Sequence, residues 1–332
     1  MELKGRTALV TGASGFVGGH VARRLAQDEG MTVRALTRHP EAKTVIPLEH
    51  PAIELVKGDL LDPASLEKAC DGAAVVFHAA VDTNAANPDI ARATIVEGTR
   101  SLHHAAQSVG VQRFIYMSGF MVYYGVRDDF ADEDTPLVPY GDVFGDAKIA
   151  AEELLLGDRR GGSGLTILRA PAIYGPGSRR WAVRMMQDAQ KGRLYLPGGG
   201  NFPFPYVYID NLVDAIVAAA QMDAPLGIYN VVDGRTTYRE FAEPFAKLAG
   251  TKPRSLPLWL LWIAAYPADA ISKLTGRWMP ISRAAVQLMS DRGRRRYATA
   301  DRARRELGWE PRVDLLEGMR RTEAWLRQNG HL

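Results

Sequence analysis

Three glycines near the N-terminus have the spacing that a phosphate-binding turn needs. Gly12, Gly15 and Gly18 follow an apolar run at residues 8–10. The next apolar side chains recur at helical spacing, at Val17, Val21 and Leu25. Between a strand and a helix, Gly12 permits a tight turn, Gly15 lets the backbone approach a pyrophosphate, and Gly18 lets the helix pack closely. This order predicts dinucleotide binding at the helix start, through Gly12, Ser14, Gly15, Phe16, Val17 and Gly18.

The end of the second predicted strand bears on which dinucleotide is bound. The strand covers residues 32–36, and Thr37 and Arg38 follow it. Sites that prefer NAD often carry an acidic residue here, which holds the ribose 2′-OH. Because a cation suits a 2′-phosphate instead, the sequence favours NADP(H), with NAD(H) as the alternative. Arg38 would otherwise be a solvated surface arginine.

Two more strand ends carry candidate cofactor contacts. Asp59 and Leu60 follow the third predicted strand, where they could reach an adenine ring. Asp59 could equally cap a turn or the next helix. Ala79 and Ala80 follow the fourth predicted strand, and their small side chains leave room for the cofactor. His78 is expected to be packed or bonded to the backbone rather than to act as an acid or base.

Apolar runs that alternate with helical patterns indicate an α/β fold. The predicted strands are residues 8–10, 32–36, 53–57, 74–78, 114–118, 165–169 and 228–231. Helices are predicted at residues 90–109 and 145–156. Such alternation gives a doubly wound parallel sheet of the Rossmann type, which binds ligands beyond the carboxyl ends of its strands.

The chain is predicted to divide between this sheet and a smaller lobe. Residues 1–170 and 206–232 are assigned to the dinucleotide-binding domain. Residues 171–205 are rich in proline, glycine and aromatics, and residues 233–332 have a mostly helical pattern. We assign these two stretches to a smaller, mostly helical substrate-binding lobe over the cofactor.

Composition and charge argue against several other classes of protein. The 332 residues are 46% hydrophobic and 24% charged, and a net charge of +3 is too small to indicate nucleic-acid binding. The single cysteine, Cys70, suits a reducing compartment and is expected to be a packing residue. The first strand begins almost at the N-terminus, which leaves no room for a signal peptide. We therefore expect a cytoplasmic protein. A homodimer is also expected, and no metal site is predicted.

Several motifs resemble those of one enzyme family. They are TGASGFVG at Thr11–Gly18, HAA at His78–Ala80, FGDAKIAAEE at Phe144–Glu153, LRAPAIYGPG at Leu168–Gly177, YVYIDNLVDA at Tyr206–Ala215 and ELGWEPR at Glu306–Arg312. Together they cover nearly the whole chain, and the combination is similar to the extended short-chain dehydrogenases/reductases, the NAD(P)-dependent epimerase/dehydratase superfamily. The resemblance implies an NAD(P)-dependent enzyme in which Pro171 also borders the cofactor.

The resemblance further implies a catalytic unit of serine or threonine, tyrosine and lysine. In the family the tyrosine is a general acid or base on a carbonyl or hydroxyl, and the serine orients the substrate oxygen. The lysine, four residues after the tyrosine, lowers the tyrosine pKa and binds the nicotinamide ribose. Here Ser118 and Lys148 match, but the tyrosine position holds Phe144. Phenylalanine has no O–H, so it can neither donate nor accept the proton.

Three explanations for Phe144 are open. The chain is an engineered Tyr→Phe variant made to bind ligand without turnover, a natural relative that uses another acid, or a protein that binds cofactor without catalysis. The first is favoured because the residues around position 144, including Ser118 and Lys148, still fit the active pattern. Tyr140 and Tyr123 are substitute proton donors for the second, although each also fits a packing role.

The stretch before residues 206–209 bears on the substrate. Sugar-nucleotide epimerases and dehydratases of this family commonly place an arginine there for the diphosphate, whereas residues 199–205 contain no cation. Asn201 and its apolar neighbours resemble the branch with 3β-hydroxysteroid dehydrogenases and dihydroflavonol reductases, which implies an apolar pocket. The predicted lining residues are Met121, Tyr123, Tyr174, Asn201 and Phe202, with Trp181 and Phe204 as further candidates. For each of them, packing in the small lobe is the alternative.

Two further stretches are distinctive. Residues 256–271 are the most apolar, but they are too short to span a bilayer and are interrupted by Pro267 and Asp269. A lid helix over an apolar pocket is favoured, with a membrane-surface helix or a dimer contact as alternatives. The basic run Arg292–Arg296 is expected to form a solvated face, and diphosphate binding is the alternative.

These residues predict an NADP(H)-dependent oxidoreductase that acts on the hydroxyl or ketone of a hydrophobic small molecule. Phe144 is expected to impair its proton transfer. A sugar-nucleotide epimerase or dehydratase is the alternative enzyme. A non-catalytic regulator that senses NADP is the alternative of a different class.

Overall fold

The structure is a computed structural model of the 332-residue chain. It describes residues 1–81, 88–126, 130–158, 164–222, 227–275, 283–290 and 298–332. The basic run Arg292–Arg296 lies outside the described residues.

The strands of the described chain form one large and two small sheets. They are β1 (Thr7–Thr11), β2 (Thr32–Thr37), β3 (Ile53–Lys57), β4 (Val75–His78), β5 (Arg113–Gly119), β6 (Gly164–Ala170), β7 (Ala172–Tyr174), β8 (Tyr195–Pro197), β9 (Pro203–Tyr208), β10 (Gly227–Asn230), β11 (Gly234–Thr237) and β12 (Arg254–Leu256). The large sheet has seven strands in the order β10-β6-β5-β4-β1-β2-β3, and all its pairs are parallel. The predicted doubly wound parallel sheet is confirmed.

Helices cover both faces of the large sheet and build most of the smaller lobe. They are α1 (Phe16–Gln27), α2 (Pro63–Cys70), α3 (Pro88–Ala91), α4 (Gly98–Ser108), α5 (Val143–Gly157), α6 (Arg184–Gln190), α7 (Ile209–Gln221), α8 (Tyr238–Leu248), α9 (Leu258–Thr275), α10 (Arg283–Ser290), α11 (Asp301–Leu307) and α12 (Leu315–Gln328). Wide π-helical turns occupy Arg92–Glu97 and Arg179–Val183, and 3-10 turns occupy Phe120–Tyr123 and Gly198–Gly200.

Alternate side chains along a strand belong to two separate hydrophobic cores. In β1, Ala8 and Val10 belong to the core that includes α1 and α7, whereas Leu9 belongs to the core that includes α2, α4 and α5. Successive strand residues point to opposite faces, so a strand buried on both faces reads as a continuous apolar run. This explains why the runs in the sequence predict the strands so closely.

The strand order reverses between β1 and β4. The neighbour on one side of β1 is β2, and on the other side it is β4. Loops that leave the carboxyl ends of these two strands therefore diverge and open a crevice, the usual ligand site in open parallel sheets. The turn that starts at Gly12 and the residues Ala79 and Ala80 begin at this crevice.

The stretches assigned to the smaller lobe also contain strands that the sequence analysis did not predict. A three-stranded sheet has the order β11-β9-β7, and β8 pairs with β12 in parallel. Strand β9 thus belongs to the lobe sheet, while α7, which follows it directly, packs against α1 of the large domain. None of the helices in the described part of the chain combines the length and apolarity needed to cross a bilayer.

Candidate active site

The turn after β1 is built so tightly that only glycine fits at two positions. Gly12 has φ of +69°, and a Cβ there would lie 2.8 Å from the backbone of Ala80. A Cβ on Gly18 would lie 2.4 Å from the carbonyl oxygen of Gly12. The turn is closed by a hydrogen bond from Gly15 N–H to Gly12 O at 3.0 Å. The backbones of α1, of the glycine turn and of the residues after β4 are therefore in direct contact, as the sequence predicts for a dinucleotide site.

The start of α1 is open to an anion. Gly15 is the N-cap and has no side chain to cap the helix, and no described side chain is seen to accept from the first-turn N–H groups. Phe16 and Val17 form the first turn and, like Ser14, are half-buried beside the crevice. Unsatisfied N–H groups and the helix dipole favour a phosphate at this position. The residues present thus fit a bound dinucleotide, and the contacts of individual residues stay predictions.

A chain of hydrogen bonds fixes the ends of β1 and β4. Ala80 N–H donates to Thr11 Oγ1 at 3.3 Å, and Thr11 Oγ1 lies 2.7 Å from His78 Nδ1. On its other side His78 Nε2 lies 2.9 Å from Thr99 Oγ1, whose hydroxyl donates to Ile95 O. Since Thr99 gives its hydrogen to the carbonyl, Nε2 must carry the ring proton and Nδ1 must accept from Thr11. Burial, aided by the Lys148 charge, lowers the pKa of His78 to about 3, so the ring is neutral near pH 7.

His78 is therefore a packed residue, as the sequence analysis expected, and not a general acid or base. Its partners are two threonine hydroxyls rather than backbone groups. The ring is 1% exposed, so a ligand in the crevice would meet the alanines that follow it instead.

The residues predicted to contact the adenosine part lie at the ends of β2 and β3. Arg38 is exposed, and within the described chain it has no ion-pair partner. Asp59 accepts a hydrogen bond from Leu61 N–H at 3.0 Å, so it does cap a turn. Leu60 is half-buried and packs beside Gly98, where a Cβ would come within 2.9 Å of it. The cofactor contacts of all three stay predictions, as does that of the half-buried Pro171 between β6 and β7.

Helix α5 presents Phe144, Lys148 and Glu152 at intervals of one turn. Asp142 caps the helix by accepting from the N–H groups of Phe144 and Gly145. Spacing of four residues places the three side chains on one face. Phe144 is half-buried and packs against the core on this side of the sheet.

Lys148 is held over the end of β5. Its Nζ donates to Met117 O at 2.7 Å and lies 4.4 Å from the centroid of the Tyr116 ring. The side chain is 9% exposed. Burial lowers the pKa of Lys148 to about 8, and the Glu152 carboxylate opposes this effect. The ammonium group retains donors beyond the one used by Met117, which a ribose could accept.

Ser118 points into a buried ion pair. Its hydroxyl donates to Glu152 Oε1 at 2.5 Å, and Glu152 also accepts from Arg169, whose Nη2 lies 2.6 Å from Oε2. The serine is 8% exposed, and the two charged residues are 1% and 2% exposed. Since its only hydroxyl hydrogen is used, Ser118 in this arrangement can accept a hydrogen bond from a ligand but cannot donate one. Its assignment as the catalytic serine stays a prediction.

The ion pair extends into a larger polar network. Arg169 Nη1 donates to Tyr123 Oη at 2.7 Å, and Tyr123 Oη donates to Asn230 Oδ1 at 2.9 Å. Asn230 N–H in turn donates to Glu133 Oε1 at 2.9 Å. The network joins β5, α5, β6 and β10 beneath the candidate catalytic residues, and each buried charge has a partner, as its burial demands.

The predicted substrate residues have three different surroundings. Met121 and Phe202 are half-buried and Asn201 is exposed, so all three are accessible to a ligand. Tyr123 is tied to the Arg169 network. Tyr174 is fully buried against the rings of Tyr206, Tyr208 and Phe241. Burial favours the packing role for the last two tyrosines. The substrate role of all five stays a prediction.

The aromatic residues of the lobe form one continuous cluster. Phe202 stacks on Tyr238 with ring centroids 5.3 Å apart, and Phe204 contacts both Tyr238 and Phe241. Trp181 lies edge-on to Phe204 at 5.0 Å. Only part of this cluster is buried, and its half-buried members, Trp181, Phe202 and Tyr238, give the lobe a largely apolar surface.

The substitute proton donor Tyr140 lies against the first turn of α5. A Cβ on Gly145 would come within 2.6 Å of its hydroxyl oxygen. Burial, followed by the nearby Asp142 carboxylate, raises the pKa of Tyr140 well above its usual range. A higher pKa makes the phenol a weaker acid, which counts against it as a proton donor.

Sequence reasoning missed the residues that hold the candidate catalytic groups in place. Glu152 and Arg169 stand in motifs that were recognised, but their mutual contact joins two elements and has no local signal. An arginine within an otherwise apolar strand such as β6 was the available hint, since a buried guanidinium needs a carboxylate partner. Thr11 and Thr99 gave no signal because their contacts run through His78.

Comparison with known proteins agrees with this geometry. The model of the NAD dependent epimerase/dehydratase family matches residues 8–231. The chain belongs to that family. No group of three or more His, Cys, Asp or Glu side chains that could hold a metal occurs among the residues described.

Relatives of the chain in this family include steroid dehydrogenases. A Mycobacterium tuberculosis protein named 3 beta-hydroxysteroid dehydrogenase/Delta 5-->4-isomerase is 30% identical over 336 residues, which cover 91% of this chain and 85% of that protein. The decarboxylating sterol-4-alpha-carboxylate 3-dehydrogenase of Saccharomyces cerevisiae is 28% identical over 346 residues, which cover 96% of this chain and 97% of that protein. The predicted resemblance to the extended short-chain dehydrogenases/reductases, in the branch of the 3β-hydroxysteroid dehydrogenases, is confirmed.

A solved structure of the family shows the same fold. The UDP-glucose 4-epimerase of Thermotoga maritima, determined with UDP-glucose, has a TM-score of 0.77 at 22% identity and covers 97% of this chain and 99% of its own. At this identity the likeness extends to the fold alone. This member of the epimerase/dehydratase family is an NAD(P)-dependent enzyme of the extended short-chain type.

Proposed function

We propose that the chain is an NADP(H)-dependent oxidoreductase for the hydroxyl or ketone of a hydrophobic small molecule, impaired in proton transfer by Phe144. The observation that carries the proposal is the α5 face of Phe144 and Lys148 at the end of β5 beside Ser118. It lies in a fold whose glycine turn fits a dinucleotide. The steroid and sterol names of the relatives support a hydrophobic substrate.

Each group of residues would bind a different part of the cofactor. The turn from Gly12 to Gly18 would hold the phosphates, Arg38 a 2′-phosphate, Asp59 and Leu60 the adenine, and Lys148 the nicotinamide ribose. Ala79, Ala80 and Pro171 would border the remainder. When bound, NADP(H) supplies or accepts the hydride.

The site is poorly equipped to supply the proton that must accompany the hydride. A ketone oxygen needs a donor as its negative charge develops, and Phe144 has none. Ser118 gives its hydrogen to Glu152. A substrate alcohol, in contrast, could donate to the Ser118 oxygen. The site as built therefore favours binding an alcohol over activating a ketone.

Phe144→Tyr tests the proposal. The variant is expected to reduce apolar ketones with NADPH, or to oxidise the matching alcohols with NADP, about 10²–10⁴-fold faster than the chain itself. Cofactor affinity should change little, because the phenol acts mainly in the transition state. The measurement is single-turnover absorbance of NADPH with steroid-like ketones and alcohols, and with UDP-glucose for the sugar-nucleotide alternative.

Matched variants separate the competing explanations. Lys148→Met and Ser118→Ala should each remove the gained activity, whereas Tyr140→Phe should not. If the chain as it stands is as fast as Phe144→Tyr and Tyr140→Phe abolishes the activity, Tyr140 moves the proton and Phe144 is natural. Turnover of UDP-glucose alone would contradict the hydrophobic substrate.

The preference for NADP(H) has a separate test. Arg38 at the end of β2, without a carboxylate beside it, motivates the preference. Arg38→Ala should weaken NADPH binding by about tenfold or more, the cost of one charge-assisted hydrogen bond, and leave NADH binding unchanged. Fluorescence titration measures both, and tighter binding of NADH than NADPH by the unaltered chain would overturn the preference.

A non-catalytic NADP sensor is the second candidate. Phe144 lacks a hydroxyl and Ser118 directs its own hydrogen at Glu152, so the general acid is missing and the group that would orient the substrate oxygen has no hydrogen left to donate. If NADPH binds but neither the chain nor Phe144→Tyr turns over any ketone or alcohol, the sensor replaces the oxidoreductase as the better explanation.

A further inference from the structure

A cavity borders the buried ion pair that holds the Ser118 hydroxyl. It has a volume of about 200 Å³, and its charged lining residues are Glu133, Glu152, Glu153 and Arg169. This volume is much more than the roughly 15 Å³ that one water molecule needs, and a cavity with so polar a lining takes up water. Because Glu153 is exposed, the cavity reaches the surface of the described chain.

Glu152 is the link between Ser118 and this cavity. Its Oε1 accepts the Ser118 hydroxyl hydrogen at 2.5 Å, and its two oxygens also accept from Nε and Nη2 of Arg169. These are three donor groups, whereas a carboxylate offers about four acceptor positions. One position is therefore left for a water molecule in the cavity.

The site needs a route for the proton because Phe144 cannot take it. Oxidation of an alcohol removes a hydride from carbon and a proton from oxygen, and a phenyl ring has no atom that accepts the proton. Ser118 can accept the alcohol hydrogen as its own hydrogen moves to Glu152. Since the adjacent Arg169 guanidinium stabilises a charged carboxylate, the proton would pass on to water rather than remain on Glu152.

We propose that the proton of a substrate alcohol leaves the site through Ser118, Glu152 and the cavity that Glu152 borders. The alcohol O–H bond breaks as Ser118 Oγ takes the proton, the Ser118 hydrogen passes to Glu152 Oε1, and Glu152 releases a proton to water in the cavity. The hydride goes to the bound NADP, so the products are the ketone, NADPH and a proton in solution. This inference rests on the proposed oxidoreductase function and makes an alcohol its substrate.

Obstruction of the cavity tests the route without a change to Ser118 or Glu152. Leu156 lines the cavity one turn after Glu152 on α5, and Leu156→Trp places a larger side chain there. Single-turnover oxidation of a steroid-like alcohol by NADP should become about 10²-fold slower, the lower end of an acid–base contribution. Leu154→Trp is the matched control, because Leu154 lies on the same helix but lines a different cavity with Arg100 and His104. Its rate should equal that of the unaltered chain.

Variants of Glu152 separate proton transfer from a structural role. Glu152→Gln keeps an oxygen that accepts from Ser118, but its amide does not carry a proton onward, so oxidation should be about 10²-fold slower or more. Glu152→Asp keeps a carboxylate and should retain more of the rate than Glu152→Gln. Oxidation by the unaltered chain should also be slower in D₂O than in H₂O, since protons move along the route. Circular dichroism and fluorescence titration of NADPH show whether each variant is folded and binds the cofactor.

Phe144→Tyr separates failure of the route from failure of the proposed function. The tyrosine takes the alcohol proton itself, so Leu156→Trp should have little effect on a chain that carries Phe144→Tyr. The same loss in both backgrounds, equal rates of Leu156→Trp and Leu154→Trp, or an unchanged rate in Glu152→Gln would overturn the route and leave the oxidoreductase function standing. Alcohol oxidation by Phe144→Tyr with none by the unaltered chain would do so too. If neither protein turned over any alcohol or ketone, the proposed function would fail and the route with it.

Discussion

Ser118 and Glu152 show how one hydrogen bond can change the chemistry open to a site. The serine lies near the carboxyl end of β5, and its hydrogen is directed at a carboxylate. That carboxylate is itself held by Arg169 in a buried pair. A buried carboxylate and a buried guanidinium are each costly unless paired, so the orientation of Ser118 is part of what stabilises the core beneath it.

Glu152→Gln tests this interdependence. The variant leaves Arg169 buried without its counter-charge, and the free energy of unfolding should fall by about 3–5 kcal/mol. Replacing both members, as Glu152→Leu with Arg169→Met, removes the unpaired charge and should cost less than Glu152→Gln alone. Urea denaturation measures all three proteins. A loss below about 1 kcal/mol for Glu152→Gln would mean that water or another group compensates the charge.

At the level of the elements, the strands of the large sheet are the part of the fold that the sequence predicts best. The seven predicted strands each overlap an observed one, because strands buried on both faces are continuous apolar runs bounded by turns. The strands of the smaller lobe, such as β7 and β8 with three residues each, were missed because they are too short to form the apolar runs that mark the large sheet. The predicted helix at residues 90–109 is in fact α3, a π-helical turn and α4, which share one apolar pattern.

Within the candidate site, the sequence predicts the features that depend on a local motif and misses those that depend on contacts between elements. Gly18 could be recognised because its close backbone contact is with Gly12 in the same turn, and Gly12 because its positive φ is a local requirement of that turn. The direction of the Ser118 hydroxyl could not, since it depends on Glu152 and Arg169 from two other elements. The same reason explains why burial of Tyr123 and Tyr174 was only an alternative in the sequence.

The packing of α1 on the glycine turn gives a prediction for that element. A Cβ at Gly18 would meet backbone atoms of Gly12 and Ala13 that cannot rotate away. Gly18→Ala should lower the free energy of unfolding by about 1–3 kcal/mol and weaken NADPH binding, since the turn must shift. Gly157→Ala is the matched control, because a Cβ there meets nothing within 4 Å, and its stability should change by less than about 1 kcal/mol. Equal behaviour of the two variants would contradict the tight packing.

For the whole molecule, the neutral buried His78 makes stability depend on pH. An unfolded histidine has a pKa near 6.5 and the folded one about 3. Below pH 6.5 His78 therefore binds a proton in the unfolded chain but stays unprotonated in the folded chain. The contribution of His78 is complete above pH 6.5 and is lost as the pH falls towards 3, at about 1.4 kcal/mol per pH unit.

The contribution of His78 can be isolated by comparison with His78→Asn. Other groups titrate in the same range: burial raises the pKa of Asp233 to about 7, which acts in the opposite sense. The difference in slope between the chain and the variant removes such shared effects. Urea denaturation between about pH 5 and 6.5 should give a slope lower by about 1.4 kcal/mol per pH unit in His78→Asn. Parallel curves would show that His78 is protonated in the folded protein.

The fixed direction of the bonds around His78 also limits what the crevice can offer a ligand. Because the Ala80 amide hydrogen is given to Thr11, a bound molecule can meet Ala80 only through its methyl group and its carbonyl oxygen. A carbonyl oxygen accepts from hydroxyl and amide groups and repels phosphate. The two sides of the crevice therefore have opposite polarity, with anion-seeking N–H groups at the start of α1 and a donor-seeking edge after β4. We therefore expect a dinucleotide in this crevice to bind with its phosphates on α1 and its sugar hydroxyls or carboxamide towards Ala80.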